Sequence, residues 1–217
     1  MKNIIFIAPP AAGKGTQAEL IVEKYHIPHI STGDILRDIS KENSEIGEYV
    51  RETLANGQLV KDEITYQLIE DRLKKDDCKN GYIIDGFPRN IEQAYQYDKI
   101  IEKLGYDIGN VILIEVDKEV LEKRITGRRI CEDCNTIYNI NDKSSSPQVE
   151  SICDNCGGKL YQRSDDNLES FQTRYNTYEE KTSPIIEHYK KQGVLKEIDG
   201  NDSVENIFKK IDEIIRD

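Results

Sequence analysis

The chain has 217 residues and a formal net charge of −11, with 33% of its residues charged. That length can bury a core for one α/β domain with insertions or for two small domains, and the acidic balance argues against general affinity for nucleic acid or acidic membranes. No apolar run approaches the roughly 20 residues of a membrane span, and the opening Met-Lys-Asn-Ile-Ile-Phe-Ile is too short for a signal peptide, so a cytoplasmic protein is expected.

Residues 2–7 read as a buried strand. Residues 8–16, Ala-Pro-Pro-Ala-Ala-Gly-Lys-Gly-Thr, follow it and lead into a helix over 16–26 that Pro28 stops. A strand, a small-residue loop, a lysine and a helix make a phosphate cradle: backbone N–H groups and the positive helix end face the anion, and Lys14 adds a point charge. The P-loop pattern has Gly at position 8 and a hydroxyl directly after the lysine; here Ala8 and Gly15 stand there, and the hydroxyl arrives at Thr16. A small-residue turn kept for packing alone would share this local pattern.

His29–Ser31 reads as a short second strand, and residues 32–60 as small helices and turns, an insertion. Asp62 is expected to cap a helix carrying Ile64, Leu68, Ile69 and Leu73. Residues 81–86 read as a buried strand ending in Asp85 and Gly86, residues 91–104 as a helix, and 111–116 as the strongest strand. Asp117 is expected to cap a helix with Val120, Leu121 and Ile125. Residues 128–164 break the alternation as a second insertion. A long helix over 170–192, a strand over 194–198 and a final helix capped by Ser203 complete the chain. Such alternation predicts an α/β fold, a doubly wound parallel five-stranded sheet with a P-loop and two inserted lobes. The expected core is 1–31, 61–127 and 165–217.

Cys131-x2-Cys134 and Cys153-x2-Cys156 are separated by residues 135–152, a spacing suited to a four-thiolate zinc site. Two disulfides or four unrelated thiols are the alternatives, and a cytoplasmic location disfavours the disulfides. Asn135 and Gly157 follow the second cysteine of each pair, and both tolerate the positive φ of a tight metal-binding turn. Four protein ligands leave no open position, so such a zinc would staple a lobe rather than catalyse. Cys78 reads as an incidental thiol, and His26, His29 and His188 show no ligand or triad spacing.

Five separated motifs then recur in order: residues 8–17; Ser-Thr-Gly-Asp-Ile-Leu-Arg at 31–37; Asp-Gly-Phe-Pro-Arg at 85–89 with Gln93; Arg-Ile-Thr-Gly-Arg-Arg at 124–129; and Arg-Ser-Asp-Asp at 163–166 with Arg174. Together, from first strand to last helix, they resemble adenylate kinase, in its long-lid bacterial form with a zinc-binding lid. The resemblance implies reversible Mg²⁺-dependent transfer from ATP to AMP, giving two ADP, by a monomer with an AMP-binding lobe at 32–60 and a zinc lid at 128–164. It puts Ala11, Ala12, Gly13, Lys14, Gly15 and Thr16 on the ATP phosphates and Arg124 against the ATP adenine. It has Arg128, Arg163 and Arg174 close over the transferring group, the last two also serving AMP. Arg37 and Arg89 grip the AMP phosphate, Thr32 and Gln93 read its base, and Gly86 belongs to the same AMP site. Asp165 and Asp166 resemble a pair that pins the closed lid; capping the helix after them is the alternative.

The residue types suit that chemistry. Phosphoryl transfer needs positioning and dispersed cations rather than covalent help. Arginine's planar fork holds two phosphate oxygens and keeps its proton. Lys14, Arg89, Arg128, Arg163 and Arg174 are the expected catalytic cations, though any one arginine alone reads as a solvated charge. Asp85, at a strand end beside the loop, is placed to hold Mg²⁺ through waters; Asp34 is a second candidate or a helix cap. Gln93 offers a donor and an acceptor side by side, as adenine requires, but a solvated glutamine on a helix would look alike. A kinase preferring another base, or a zinc-ribbon nucleotide-binding protein without turnover, remain alternatives. A nucleic-acid module is disfavoured, since residues 128–164 lack a dense basic and aromatic patch.

Overall fold

The computed structural model describes residues 3–216; Lys2, expected to begin the first strand, lies outside the described residues. Strand β1 (Ile4–Ile7) is buried throughout. Helix α1 (Lys14–Tyr25) starts two residues before the expected position, because Gly13 at φ 93° already turns the chain into the helix. After β2 (His29–Ser31) come α2 (Thr32–Ser40) and α3 (Glu45–Ala55), whose first-turn amides are capped by the Ser31 and Ser44 side chains.

Helix α4 spans Asp62–Leu73, but Lys61 rather than Asp62 stands at its N-cap. The expected cap is therefore corrected: the Asp62 carboxylate accepts from the Asn90 and Gln93 side chains and from the Tyr66 hydroxyl one turn along its own helix, rather than from first-turn amides. A short 3-10 turn at Asp76–Asn80 leads to β3 (Ile83–Asp85), α5 (Ile91–Leu104), β4 (Asn110–Glu115) and α6 (Lys118–Gly127). Asp117 holds the N-cap position of α6 without a side-chain cap bond. Residues 128–164 contain a separate antiparallel sheet of β5 (Arg128–Cys131), β6 (Ile137–Asn139) and β7 (Leu160–Tyr161), in the order β6-β5-β7.

The long helix expected over 170–192 is interrupted. Helix α7 (Leu168–Thr177) runs into a π-helical turn at Tyr178–Thr182, and α8 (Pro184–Lys191) starts afresh. Pro184 lacks an N–H and suits a first helical position, so the ladder widens before it: the Ser183 N–H donates to the Tyr178 carbonyl at 2.9 Å. Within that turn the Thr182 hydroxyl donates to the Arg89 carbonyl at 2.8 Å. Strand β8 (Leu195–Asp199) and α9 (Val204–Arg216) close the chain, with Ser203 Oγ accepting from the Asn206 N–H as expected.

The main sheet has the order β2-β3-β1-β4-β8, every pairing parallel. Alternation along the strands sends Ile4, Phe6, Ile83, Ile112 and Ile114 to one face, against α1, α6 and α9. Ile5, Ile7, Ile84, Val111 and Leu113 pack on the other face against α4, α5 and α8. The fold is the expected doubly wound five-stranded α/β type. From β1 the chain goes to β2 and β3 on one side and to β4 and β8 on the other, which opens a crevice at the C-terminal ends of the strands. Segments 32–60 and 128–164 add no strand to this sheet; the first packs Leu36, Val50 and Val60 against Ile64 and Leu68 of α4, and the second has a small cluster around Tyr138. Among the described residues no helix is long and apolar enough to cross a membrane.

Candidate active site

Loop 8–13 leaves β1 at the crevice. Ala11 lies in the left-handed region at φ 65° and Gly13 has φ 93°, and the Ala12 N–H closes a turn on the Pro9 carbonyl at 3.4 Å before α1. The Ala8 and Ala12 side chains point into the core rather than into the loop's mouth. Lys14 Nζ folds over the loop, donating to the carbonyls of Ala8 at 3.2 Å and Pro9 at 3.3 Å, and lies 3.9 Å from Asp85. Burial lowers its pKa to about 8, with Arg89, Arg174 and Arg128 adding repulsion and Asp85 opposing. Burial alone would raise the Asp85 pKa, but Lys14 and His29 beside it win and hold it at about 2.

Two adjoining clefts meet here. One is lined by Thr32, Arg37, Gly86, Arg89, Gln93 and Arg174; the other by Ala8, Pro10, Lys14, Gly86, Arg89 and Arg174. Arg89 and Arg174 thus face both. Nε of Arg89 donates to the Gly86 carbonyl at 2.6 Å, which aims its guanidinium, and burial pulls its pKa down. Burial likewise brings Arg174 to about 10, against the attraction of Asp165.

Arg174 and three further arginines are paired with acids, two of them with the same one. Arg128 donates from Nε to Asp166 at 2.8 Å and from Nη2 to the second oxygen, and Arg174 donates to Asp165 at 2.9 Å. Asp34 receives Arg37 at 2.5 Å and Arg163 at 3.3 Å. Neither Asp165 nor Asp166 caps α7, a task Asn167 performs, and Ser31 caps α2 in place of Asp34. Arg124, from α6, has no acid partner among the described residues and donates to the carbonyls of Gly200 at 3.2 Å and of Ala12 in the loop at 3.5 Å. Gly15 faces the Ile137 side chain from β6, so the small antiparallel sheet lies over the P-loop.

A strand-loop-helix cradle beside two cation-lined clefts is suited to phosphate-bearing ligands. The family profile for adenylate kinase matches residues 6–194. The chain belongs to the adenylate kinase family. Proteins named adenylate kinase that it resembles include those of Caldanaerobacter subterraneus subsp. tengcongensis, 48% identical over 96% of this chain and 94% of the relative, and Thermoanaerobacter sp. (strain X514), 48% identical over 99% and 98%. A third, from Clostridioides difficile (strain 630), is 46% identical over 96% of each. Membership makes the protein a transferase of the nucleoside monophosphate kinase class.

The four cysteines converge, their Sγ atoms all within 4.8 Å of one another. Neighbouring sulfurs are 3.4–3.5 Å apart. That separation excludes disulfides, whose sulfurs lie about 2 Å apart, and approaches the roughly 3.8 Å edge of a tetrahedron with Zn–S bonds near 2.3 Å. Each pair forms the same turn: the Asn135 N–H returns to the Cys131 carbonyl at 3.2 Å and the Gly157 N–H to Cys153 at 2.9 Å, at φ 60° and 76°. The cluster is therefore compatible with zinc. Cys78 is buried beside Arg72 and Asp77, far along the chain from this group.

Sequence reasoning missed three contributors to the kinase's crevice. Gly57, at φ 67°, lets the chain pass Arg174, since a Cβ there would lie 3.2 Å from Cγ of Arg174 and from the Ser170 carbonyl. Ile137 lies in the segment 128–164, which breaks the strand-helix alternation and offers no periodicity to single it out. Asp62 was read as a cap although its partners lie on another helix; only its neighbour Gln93, flagged by the motif after Arg89, hinted at it.

Proposed function

We propose that the protein catalyses reversible transfer of the terminal phosphoryl group of ATP to AMP, giving two ADP, as a cytoplasmic monomer built of a core, an AMP-binding lobe at 32–60 and a lid at 128–164. What carries this reading is that Arg89 and Arg174 line both clefts, one shared with the P-loop lysine and the other with Gln93. A phosphoryl group passing between two nucleotides would lie between those guanidinium groups.

In this reading Lys14 and the amides of residues 11–16 hold the donor phosphates, with Arg124 against the donor's adenine. Arg37 and Arg89 hold the acceptor's phosphate, beside Thr32, Gly86 and Gln93. Arg128, Arg163 and Arg174 cover the oxygens that gain charge in flight. Their acid partners keep these side chains aimed before substrate arrives, and incoming phosphate oxygens then compete with Asp34, Asp165 and Asp166. The sheet of β5, β6 and β7 covers the loop and would exclude water, which otherwise competes for the phosphoryl group.

Mg²⁺ supplied with ATP would neutralise charge on the donor's oxygens. Asp85 suits it: a single carboxylate kept ionised beside the P-loop matches a cation that retains most of its waters. Zn²⁺ suits the four thiols and would act structurally, holding the lid as one body.

A coupled ADP assay on purified protein, with AMP, CMP, UMP and GMP as acceptors, tests the reading. ADP formation strongest with AMP is the expected result. Preference for another monophosphate would move the assignment to a different kinase of the class, and no turnover with any acceptor would overturn it.

A further inference from the structure

Gln93 is almost wholly buried at the wall of the Thr32 cleft, and both ends of its carboxamide are already engaged. Its Oε1 accepts from the Arg89 backbone N–H at 2.7 Å. Its Nε2 donates to Oδ1 of Asp62 at 2.6 Å. A backbone amide can only donate and a carboxylate can only accept, so these neighbours leave the carboxamide one orientation. The flipped group would set N–H against N–H at Arg89 and oxygen against oxygen at Asp62.

Rotation is blocked at a place where it would matter. With one lone pair used by Arg89 and one hydrogen by Asp62, Gln93 retains one acceptor lone pair and one donor hydrogen. Adenine offers an amino donor next to a ring-nitrogen acceptor and matches that pair. Hypoxanthine, of the same size, offers a carbonyl acceptor next to an N–H donor and matches only the flipped amide.

We propose that Asp62 is a positioning residue that sets base choice, locking the Gln93 carboxamide in the sense that accepts a 6-amino purine and rejects a 6-oxo purine. The inference rests on the reading of Gln93 as the contact to the acceptor's base. Asp62 touches no nucleotide itself; it acts through Gln93, across 31 positions of sequence and from a different helix. Asn90, the cap of α5, also donates to Asp62 at 3.1 Å, so the carboxylate is itself held in place.

The test compares AMP with IMP as acceptors for the full-length enzyme and its Asp62→Asn, Asp62→Ser and Gln93→Leu variants, each checked by thermal melting. Asp62→Asn keeps the volume but offers Gln93 either a donor or an acceptor. It is expected to lower the AMP-to-IMP ratio of kcat/KM by about tenfold, through a higher KM for AMP and a gain with IMP, with the KM for ATP unchanged. Asp62→Ser, which also suits the start of a helix, should move the ratio the same way. A ratio unchanged in both variants, or AMP and IMP weakened equally, overturns the role of Asp62. If Gln93→Leu leaves the KM for AMP unchanged, the base-reading role of Gln93 fails first, and the inference falls with it. If that variant weakens AMP while the Asp62 variants keep the ratio, only the inference fails.

Discussion

Arg128 grips Asp166 with two donors, and the Asp166 side chain has no exposed surface left. The two residues flank the segment that carries the cysteines, so the pair clasps the incoming and outgoing strands of that segment together. Removing the acid leaves a guanidinium nearly buried and without its partner, a loss that costs about 3 kcal/mol in comparable buried pairs. Asp166→Ala is therefore expected to lower the unfolding free energy by about that amount in urea titrations. A cost near zero would mean that Arg128 finds water or Asp165 instead.

Two groups at the loop titrate with opposite consequences. Asp85 falls from an ordinary 3.8 to about 2, so its contribution to stability is full above pH 4 and is lost as pH drops toward 2. That shift corresponds to on the order of 2 kcal/mol. Lys14 falls from 10.5 to about 8 because burial disfavours its charge, so between pH 8 and 10.5 the unfolded chain binds more protons and folding gains stability as pH rises. Catalysis should move the other way. The kcat/KM for ATP is expected to decline through about pH 8 as the ammonium is lost, while unfolding measurements over the same range show no matching loss.

Ala11 and Ala8, the latter standing where the P-loop pattern has glycine, are not equivalent. At φ 65° Ala11 carries about 1–2 kcal/mol of left-handed strain, and glycine would relieve it at an entropy cost of about 0.5–1 kcal/mol. Ala11→Gly is expected to raise stability by up to about 1 kcal/mol and to increase ATP affinity or turnover. Ala8 has no such φ and buries its methyl in the core, so Ala8→Gly should cost about 1 kcal/mol and bring no kinetic gain. Melting curves and steady-state kinetics on the two single variants separate these outcomes.

The cysteine lobe has a core of only Cys131, Tyr138, Cys153 and Leu160. So small a cluster cannot hold three short strands without help. Stripping metal with a thiol-competing chelator is expected to release one zinc per chain and to lower the melting temperature. Cys153→Ser should reproduce the loss without chelator. Unchanged melting with metal demonstrably removed would assign stability of the lobe to its contacts with the P-loop instead.

The positions that were readable in advance depend on near neighbours. Gly13 and Lys14 end a loop that follows a four-residue apolar strand, and Asn135 and Gly157 adopt the positive φ that their place after a cysteine pair demanded. The misreadings fall where a local signal competed with a distant partner. Asp62 has the chemistry of a cap and sits at a helix start, yet its carboxylate accepts from the Asn90 and Gln93 side chains at the start of α5 and from the Tyr66 hydroxyl, not from first-turn amides. The helical periodicity of 170–192 is continuous on paper, but Pro184 and the Arg89 carbonyl break it into two helices and a π turn.

The amino-acid sequence alone determined the strand and helix alternation, the phosphate loop and the paired cysteines, because periodicity, glycine placement and ligand spacing are properties of short stretches. Tertiary structure alone decided which acid serves which arginine and which group orients Gln93. Arg163 meets Asp34 across 129 positions and Arg128 meets Asp166 across 38, and charges of either sign are too plentiful in this chain for spacing to select among them. The parallel sheet makes that selection by delivering loops from distant parts of the chain to one edge.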